Sequence, residues 1–284
     1  MFDQAQALRN NTLTNDVRII MVTSGKGGVG KSIIAANIAV LLAKTGKSVL
    51  LFDADVGFAN SDILLGVTPK NTLKDFFLNK KDLRDIVYPT KYGVWLLSSG
   101  ADVQDIVVFK SESKNRLFGD FLRFAQSMDY IIIDTGTSMS YFDELRGLYE
   151  VIDSLILVTT GEPTALMNTY TIAKLMAMRG ITPEVHVIVN MAKNIRSARR
   201  ILERFVMVLE RFAGIDVTEQ HIMLFDNSVK NSVVNQIPLV EHSARSQPSL
   251  CIRRITNMIL KSEELGVGKF GFVEKIKSIF GIGG

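Results

Sequence analysis

Val17 to Asp55 reads VRIIMVTSGKGGVGKSIIAANIAVLLAKTGKSVLLFDAD. Two apolar runs in it, Ile19 to Val22 and Val49 to Phe52, have the length and aliphatic content of buried parallel strands. Between them stands GKGGVGKS, Gly25 to Ser32, followed by a helical segment that ends near Gly46. Strand, loop, helix and strand in that order are the context in which G-x-x-x-x-G-K-[ST] carries meaning. Glycines let such a loop curl its N–H groups around phosphate oxygens, and the helix that begins near Gly30 adds its positive end. The expected ligand is a nucleoside triphosphate, cradled by Gly25, Lys26, Gly27, Gly28, Val29, Gly30, Lys31, Ser32 and Ile33. Lys31 is expected on the β- and γ-phosphates and the Ser32 hydroxyl on Mg2+. A glycine turn that merely joined strand to helix would not need the Lys-Ser pair.

Working outward, the 284 residues suffice for one large α/β domain or two small ones, and 47% of them are hydrophobic, enough for a substantial core. The single cysteine, Cys251, excludes an intramolecular disulfide, and no Cys/His cluster suggests a structural metal. The polar start MFDQAQALRNN lacks the apolar core of a signal peptide. No apolar run approaches the ~18 residues of a membrane-spanning helix, so a cytoplasmic chain is expected. A formal charge of +4 permits an anionic partner without naming one.

The second strand ends in Asp53 and Asp55, and ligands gather at the carboxyl ends of parallel strands. YIIIDTGTSMS, Tyr130 to Ser140, is a third buried strand that ends in Asp134. Carboxylates so placed can hold Mg2+ or orient an attacking water, which makes Ser32, Asp53 and Asp134 the expected metal ligands. A fourth strand leads into a helix that Pro163 starts, and a fifth, VHVIVNMAK, carries Asn190 at its end. Residues 70–100 read as a short helix and two short strands without evident chemistry, with Trp95 as a core residue. Ile195 to Ala213 reads as a basic amphipathic helix with Arg196, Arg199, Arg200, Arg204 and Arg211. Such a face is ordinarily solvated, and a protein partner or nucleic-acid phosphate is the other occupant it admits. With neither an aromatic platform nor a helix-turn-helix signal, no specific nucleic-acid binding is expected.

Several of these residues resemble one family. Lys26 makes the loop KGGVGK, which resembles the deviant Walker A loop of the MinD/ParA ATPases. Phe52 to Gly66 resembles that family's switch I, D-x-D-x-G-x-x-N-x-D, and Asp226 to Pro238 resembles its D-x-x-V-x-x-S-V-x-x-Q-x-P segment. The resemblance implies a doubly wound, mainly parallel α/β P-loop NTPase sheet with helices on both faces. It implies ATP and Mg2+ as cofactors, slow hydrolysis, and a homodimer when ATP is bound. Lys26 would reach the partner subunit's nucleotide, Lys31 would stabilise charge, Asp55 would polarise the hydrolytic water, Asn60 would face the partner subunit, and Asn190 would contact adenine. Two departures stand out: Thr137 and Ser138 replace the Ala-Gly of switch II, and Leu224 replaces a proline two residues before Asp226.

Asp3, Gln4, Ala5, Leu8 and Arg9 resemble the DQAxxLR element of the FlhG (FleN) branch, which regulates flagellar number and placement. There the element, through its glutamine, stimulates an FlhF-type SRP GTPase; flagellar switch proteins or transcription regulators are further partners this branch admits. A MinD division-site regulator and a ParA-type partition ATPase are the alternatives, and a module that holds ATP without turnover remains a third. The family's iron–sulfur carriers need paired cysteines.

At the other end, Phe272, Val273, Ile276, Ile279 and Phe280 fall on one helical face flanked by Lys269, Lys275 and Lys277. This is the pattern of a helix lying in an anionic membrane interface; the competing reading packs it on the core or in a protein groove. One copy binds weakly, and two on an ATP-held dimer gain effective concentration. The expected organisation is therefore a partner-activating segment and linker (1–16), an ATPase domain (17–261), and a linker with a membrane-targeting helix (262–284), peripheral on the inner face of the cell membrane.

Overall fold

The computed structural model describes residues 17–55, 60–78, 80–99, 120–121, 123–136, 152–181 and 183–264. The segment with Gln4, residues 56–59 of switch I, Thr137, Ser138, and the tail with Phe272, Val273, Ile276, Ile279 and Phe280 lie outside them.

The aliphatic runs pair with one another because a strand apolar on both sides is covered only inside a sheet clad on both faces. Eight strands form that sheet in the order β3-β4-β2-β5-β1-β6-β7-β8. They are β1 (Arg18–Thr23), β2 (Val49–Ala54), β3 (Val87–Pro89), β4 (Val94–Ser98), β5 (Tyr130–Thr135), β6 (Ser154–Thr159), β7 (Glu184–Ala192) and β8 (Val217–Leu224). Only β3 runs antiparallel, against β4; every other pairing is parallel.

Alternate residues go to opposite faces. Ile19, Met21, Leu50, Phe52, Ile131 and Ile133 join one core, with Ile172 and Met176 from α5 (Pro163–Met178) and Leu202 and Phe205 from α6 (Ile195–Val208). Ile20, Val22, Leu51, Ile132, Val158 and Ile188 join the other. That second core is covered by α1 (Lys31–Lys44), α2 (Ser61–Leu65), α8 (Leu239–His242) and α9 (Gln247–Glu264). The short helices α3 (Leu73–Phe77) and α4 (Leu83–Ile86) cover the β4 side, and α7 (Asn227–Val234) follows β8. The doubly wound fold is thus in place, and its chain direction reverses at β1, which puts the loop after β1 at the topological switch point.

Three details differ from expectation. Trp95 is 37% exposed on β4, edge-on to Phe124, because its neighbours Leu96 and Val94 take the buried positions. The helix expected through Ala213 ends in a π turn, Leu209–Ala213. The linker expected from residue 262 starts later, since α9 carries on to Glu264. Polar bonds hold that last turn at the amino edge of the sheet. Arg18 donates to the Ile259 carbonyl at 3.2 Å and pairs with Glu184, which also accepts from Ser262 at 2.5 Å. Glu263 takes Lys47 and the Tyr130 hydroxyl, each at 2.6 Å.

Candidate nucleotide site

The loop after β1 takes its shape from two neighbours. Gly25 donates its N–H to Thr169 Oγ1 at 3.2 Å and accepts from Asn168 Nδ2 at 3.0 Å, so the second turn of α5 lies against it. A Cβ on Gly25 would come within 2.2 Å of the Asn168 backbone, which makes this a close-approach glycine. At the other end Gly30 has φ +96°, and a Cβ there would meet Asn190 Nδ2 at 2.4 Å. Asn190 is buried; its Nδ2 donates to the Val29 carbonyl at 2.7 Å, while its Oδ1 accepts from Met191 N at the same distance. The expected adenine residue therefore braces the phosphate loop from below. Lys31 and Val29 are buried, while Gly27 and Gly28 are open to solvent.

Lys26 is paired with Glu162, the residue just ahead of α5. The contact joins two half-exposed side chains on the outer rim of the loop, within one chain.

The carboxylates at the ends of β2 and β5 sit side by side, since Asp53 and Asp134 are register partners. They do different work. Asp53 is wholly buried and clasps the start of switch I: it accepts from Asp55 N at 3.1 Å, Asn60 N at 3.0 Å and Ser61 N at 2.9 Å. Burial pushes its pKa up to about 6, against the pull of those N–H groups. Asn60, itself exposed, starts α2. Asp134 is equally buried, yet neither of its oxygens has a hydrogen-bond partner. Burial first, then the Asp53 charge, raises it to about 8; Ser32 and Lys31 lie close enough to pull it down. Asp55 is only partly enclosed, raised by burial and lowered by Lys31. Gly136 lies against it: a Cβ there would stand 2.8 Å from Asp55 Oδ1.

An unpartnered buried carboxylate beside a second one and a serine hydroxyl is a donor set for a hard divalent cation. No cluster of three or more His, Cys, Asp or Glu side chains fit to hold a metal occurs among the described residues. Mg2+ needs none, because it takes one or two carboxylates and completes its shell with phosphate and water. Asp134 and Ser32 fit that ion directly, and Asp53 fits as the neighbour that adds charge and fixes switch I.

Residues 16–238 match the ParA family model, described as NUBPL iron-transfer P-loop NTPase. The chain belongs to the MinD/ParA family of P-loop ATPases. Among curated relatives it is 30% identical, over 86% of each chain, to the antiactivator FleN of Pseudomonas aeruginosa. It is also 30% identical to the flagellum site-determining protein YlxH of Helicobacter pylori, over 68% of this chain and 64% of that one. It is thus an FlhG-like member. Among solved structures, a ParA family ATPase from Chlorobium tepidum superposes with TM-score 0.69 at 26% identity, covering 86% of this chain and 98% of that one. MinD of Pyrococcus horikoshii, titled as complexed with Mg-ADP, has the same TM-score at 22% identity over 89% of this chain and all of that one, and supports the fold.

Within the MinD/ParA family, one of the two departures gains a physical reading. Leu224 uses the N–H that a proline lacks: it donates to Gln247 Oε1 at 2.8 Å, and Gln247 Nε2 returns to the Ile222 carbonyl at 3.1 Å. Cys251 is buried with its thiol pushed up to about 11, no place for a cluster ligand. Sequence reasoning passed over Glu162, Asn168, Thr169 and Gly136, all of which touch the loop or Asp55 only through the fold. It also passed over Met191, next to Asn190 on β7 at φ +56°, and Phe225, exposed just past β8 with its N–H bonded to the Ala192 carbonyl at 2.9 Å. The strand β8 itself was missed, because VTEQHIML carries four consecutive polar residues, Thr218 to His221, and so shows neither an apolar run nor an alternation.

Proposed function

We propose that this chain is a nucleotide-dependent switch that regulates flagellar number or placement, dimerising on ATP and attaching to the membrane while dimeric. The observation that carries the reading is the buried, unpartnered Asp134 facing Asp53, Ser32 and Lys31 at the switch point of the sheet. The FleN and YlxH likeness supplies its biological direction.

ATP is its nucleotide. Open loop N–H groups and the Lys31 ammonium meet the phosphates. Ser32 and Asp134, with Asp53 behind, would hold Mg2+, which when bound would supply charge neutralisation at the phosphates. Asp55 stands where a carboxylate can accept from a water and aim it; burial raises its pKa, and Lys31 offsets part of that rise. Lys26, tied to Glu162 in one chain, must exchange that carboxylate for phosphate to act across a dimer. Each step lowers the barrier by orientation and charge, as suits a timer with slow turnover. Met191 and Phe225 offer apolar surface to a base, with Asn190 beneath them.

The tail leaves α9 at the amino edge of the sheet, while the loop lies at the carboxyl edge. The six residues of β1 separate the two by about 20 Å at ~3.3 Å per residue. Nucleotide cannot touch the root of the tail, which favours coupling through dimerisation and two-copy avidity. No helix long and apolar enough to cross a membrane occurs among the described residues, and a surface-lying tail needs none.

The test uses the full chain, Asp55→Ala, and a chain ending at Leu265, which keeps Ser262 and Glu263 in their bonds. Turnover absent from Asp55→Ala with ATP still bound, and ATP-dependent liposome sedimentation lost with the tail, is the expected result. Equal sedimentation with ATP and ADP would sink the membrane switch. Stimulation of an FlhF-type GTPase that survives Gln4→Ala would instead favour the MinD alternative.

A further inference from the structure

The outer face of α6 is the least explained surface of the molecule. Ala198, Leu202, Phe205 and Leu209 pack inward, which turns Arg196, Arg199, Arg200, Arg204 and Arg211 outward along one stripe. None of the five forms an ion pair among the described residues. Nor does the stripe serve the helix itself. Arg196 and Arg199 occupy the amino-terminal turns, where the helix dipole disfavours cations, and the first turn holds no acidic residue. The cap is left to Asn194, whose side chain accepts from Ser197 N at 2.9 Å.

Exposed apolar side chains occur on the same helix and its π turn. Met207 is 45% exposed and Phe212 66%. Phe212 is held there, since the π turn anchors on buried Leu209, ends at Gly214 with φ +67°, and has its Phe212 carbonyl bonded by the Tyr170 hydroxyl at 3.3 Å. π turns recur at functional positions, and a fixed aromatic among arginines is the composition of an interface centre.

We propose that the α6 face and its π turn form a docking surface for an acidic amphipathic segment of a partner protein. Its carboxylates would meet the arginine forks and its apolar side chains would cover Met207 and Phe212. Charge complementarity selects this occupant. Planar guanidinium groups pair bidentately with carboxylates. A nucleic-acid backbone would leave the exposed Met207 and Phe212 uncovered. The surface belongs to α6, remote in sequence from the phosphate loop, and the proposal stands apart from the flagellar reading.

The experiment measures fluorescence anisotropy of the full chain with three probes: a short amphipathic helical peptide of Glu, Leu and Phe, the same peptide with Lys for Glu, and a short DNA duplex. The acidic peptide should bind and the lysine peptide should not. Arg200→Glu with Arg204→Glu should weaken binding at least about ten-fold, and Phe212→Ala should weaken it several-fold, with ATP turnover unchanged in both variants. Unchanged peptide binding in the charge-reversed chain, absence of binding by any probe, or tighter capture of the duplex through the same arginines would each overturn the proposal.

Discussion

At Gly136 one hydrogen atom stands where any other residue would put a carbon 2.8 Å from Asp55 Oδ1. Gly136→Ala should therefore displace the water-aiming carboxylate and leave the phosphate loop alone. Turnover is expected to fall roughly ten- to hundred-fold, the scale of a misplacement near 1 Å, with ATP affinity nearly constant by equilibrium titration. A parallel drop in affinity would show that the residue shapes the whole site. Lys26 offers a second residue-scale test, because Glu162 competes for its charge. Glu162→Gln should release it and raise dimer formation with ATP, read by light scattering; a weaker dimer would mean that Glu162 supports the interface instead. Thr137 and Ser138, outside the described residues, keep their place as the departure that bears on rate.

Among the elements, α9 carries the most long-range chemistry. Its last turn is bound through Glu263 to the Tyr130 hydroxyl, a phenol that burial and that carboxylate together push well above its usual range. Tyr130→Phe leaves Glu263 with Lys47 alone and should cost about 1–2 kcal/mol, the scale of a hydrogen bond to a partly screened charge. Faster hydrogen exchange at the end of α9 should accompany it. A chain cut at Leu260 loses Ser262 and Glu263 as well, so its loss of membrane binding could not be told from a loosened core. Ser262 to Glu264 read as linker in the sequence because they are polar, and polar residues in a helix are legible as helix only when their partners are known.

At the scale of the whole molecule, two of the three histidines are sealed between β7, β8 and the helices over them. His186 and His221 lie nearly parallel, 6.1 Å apart, and His186 has no partner at either nitrogen. Burial, then Arg18 for His186, and burial, then His186 and Arg254 for His221, lower each to about 4, against an ordinary 6.5. The unfolded chain takes up the protons first, so the rings' contribution is whole above about pH 6.5 and is lost between there and pH 4. Each ring contributes at most about 1.4 kcal/mol per pH unit in that window. Asp53 and Asp134, raised by burial, act in the opposite sense over the same range, so the rings are read by difference. The urea midpoint of His186→Leu with His221→Leu, relative to the parent chain, should rise steadily from pH 7 to 4; a difference that does not change with pH would assign the acid sensitivity elsewhere. Read alone, the sequence determined the apolar strands, the phosphate loop and the strand-end carboxylates, because apolar runs, glycine spacing and a β–loop–α–β order are local properties; the doubly wound order came with the family resemblance, and β8 was not legible. Tertiary structure alone decided that Asp53 clasps switch I while Asp134 stays open to a cation, that Asn190 props Val29, and that Gly25 and Gly136 make room for Asn168 and Asp55. Those roles arise where residues far apart in the chain compete for the same few ångströms, and no spacing along the chain records such a competition.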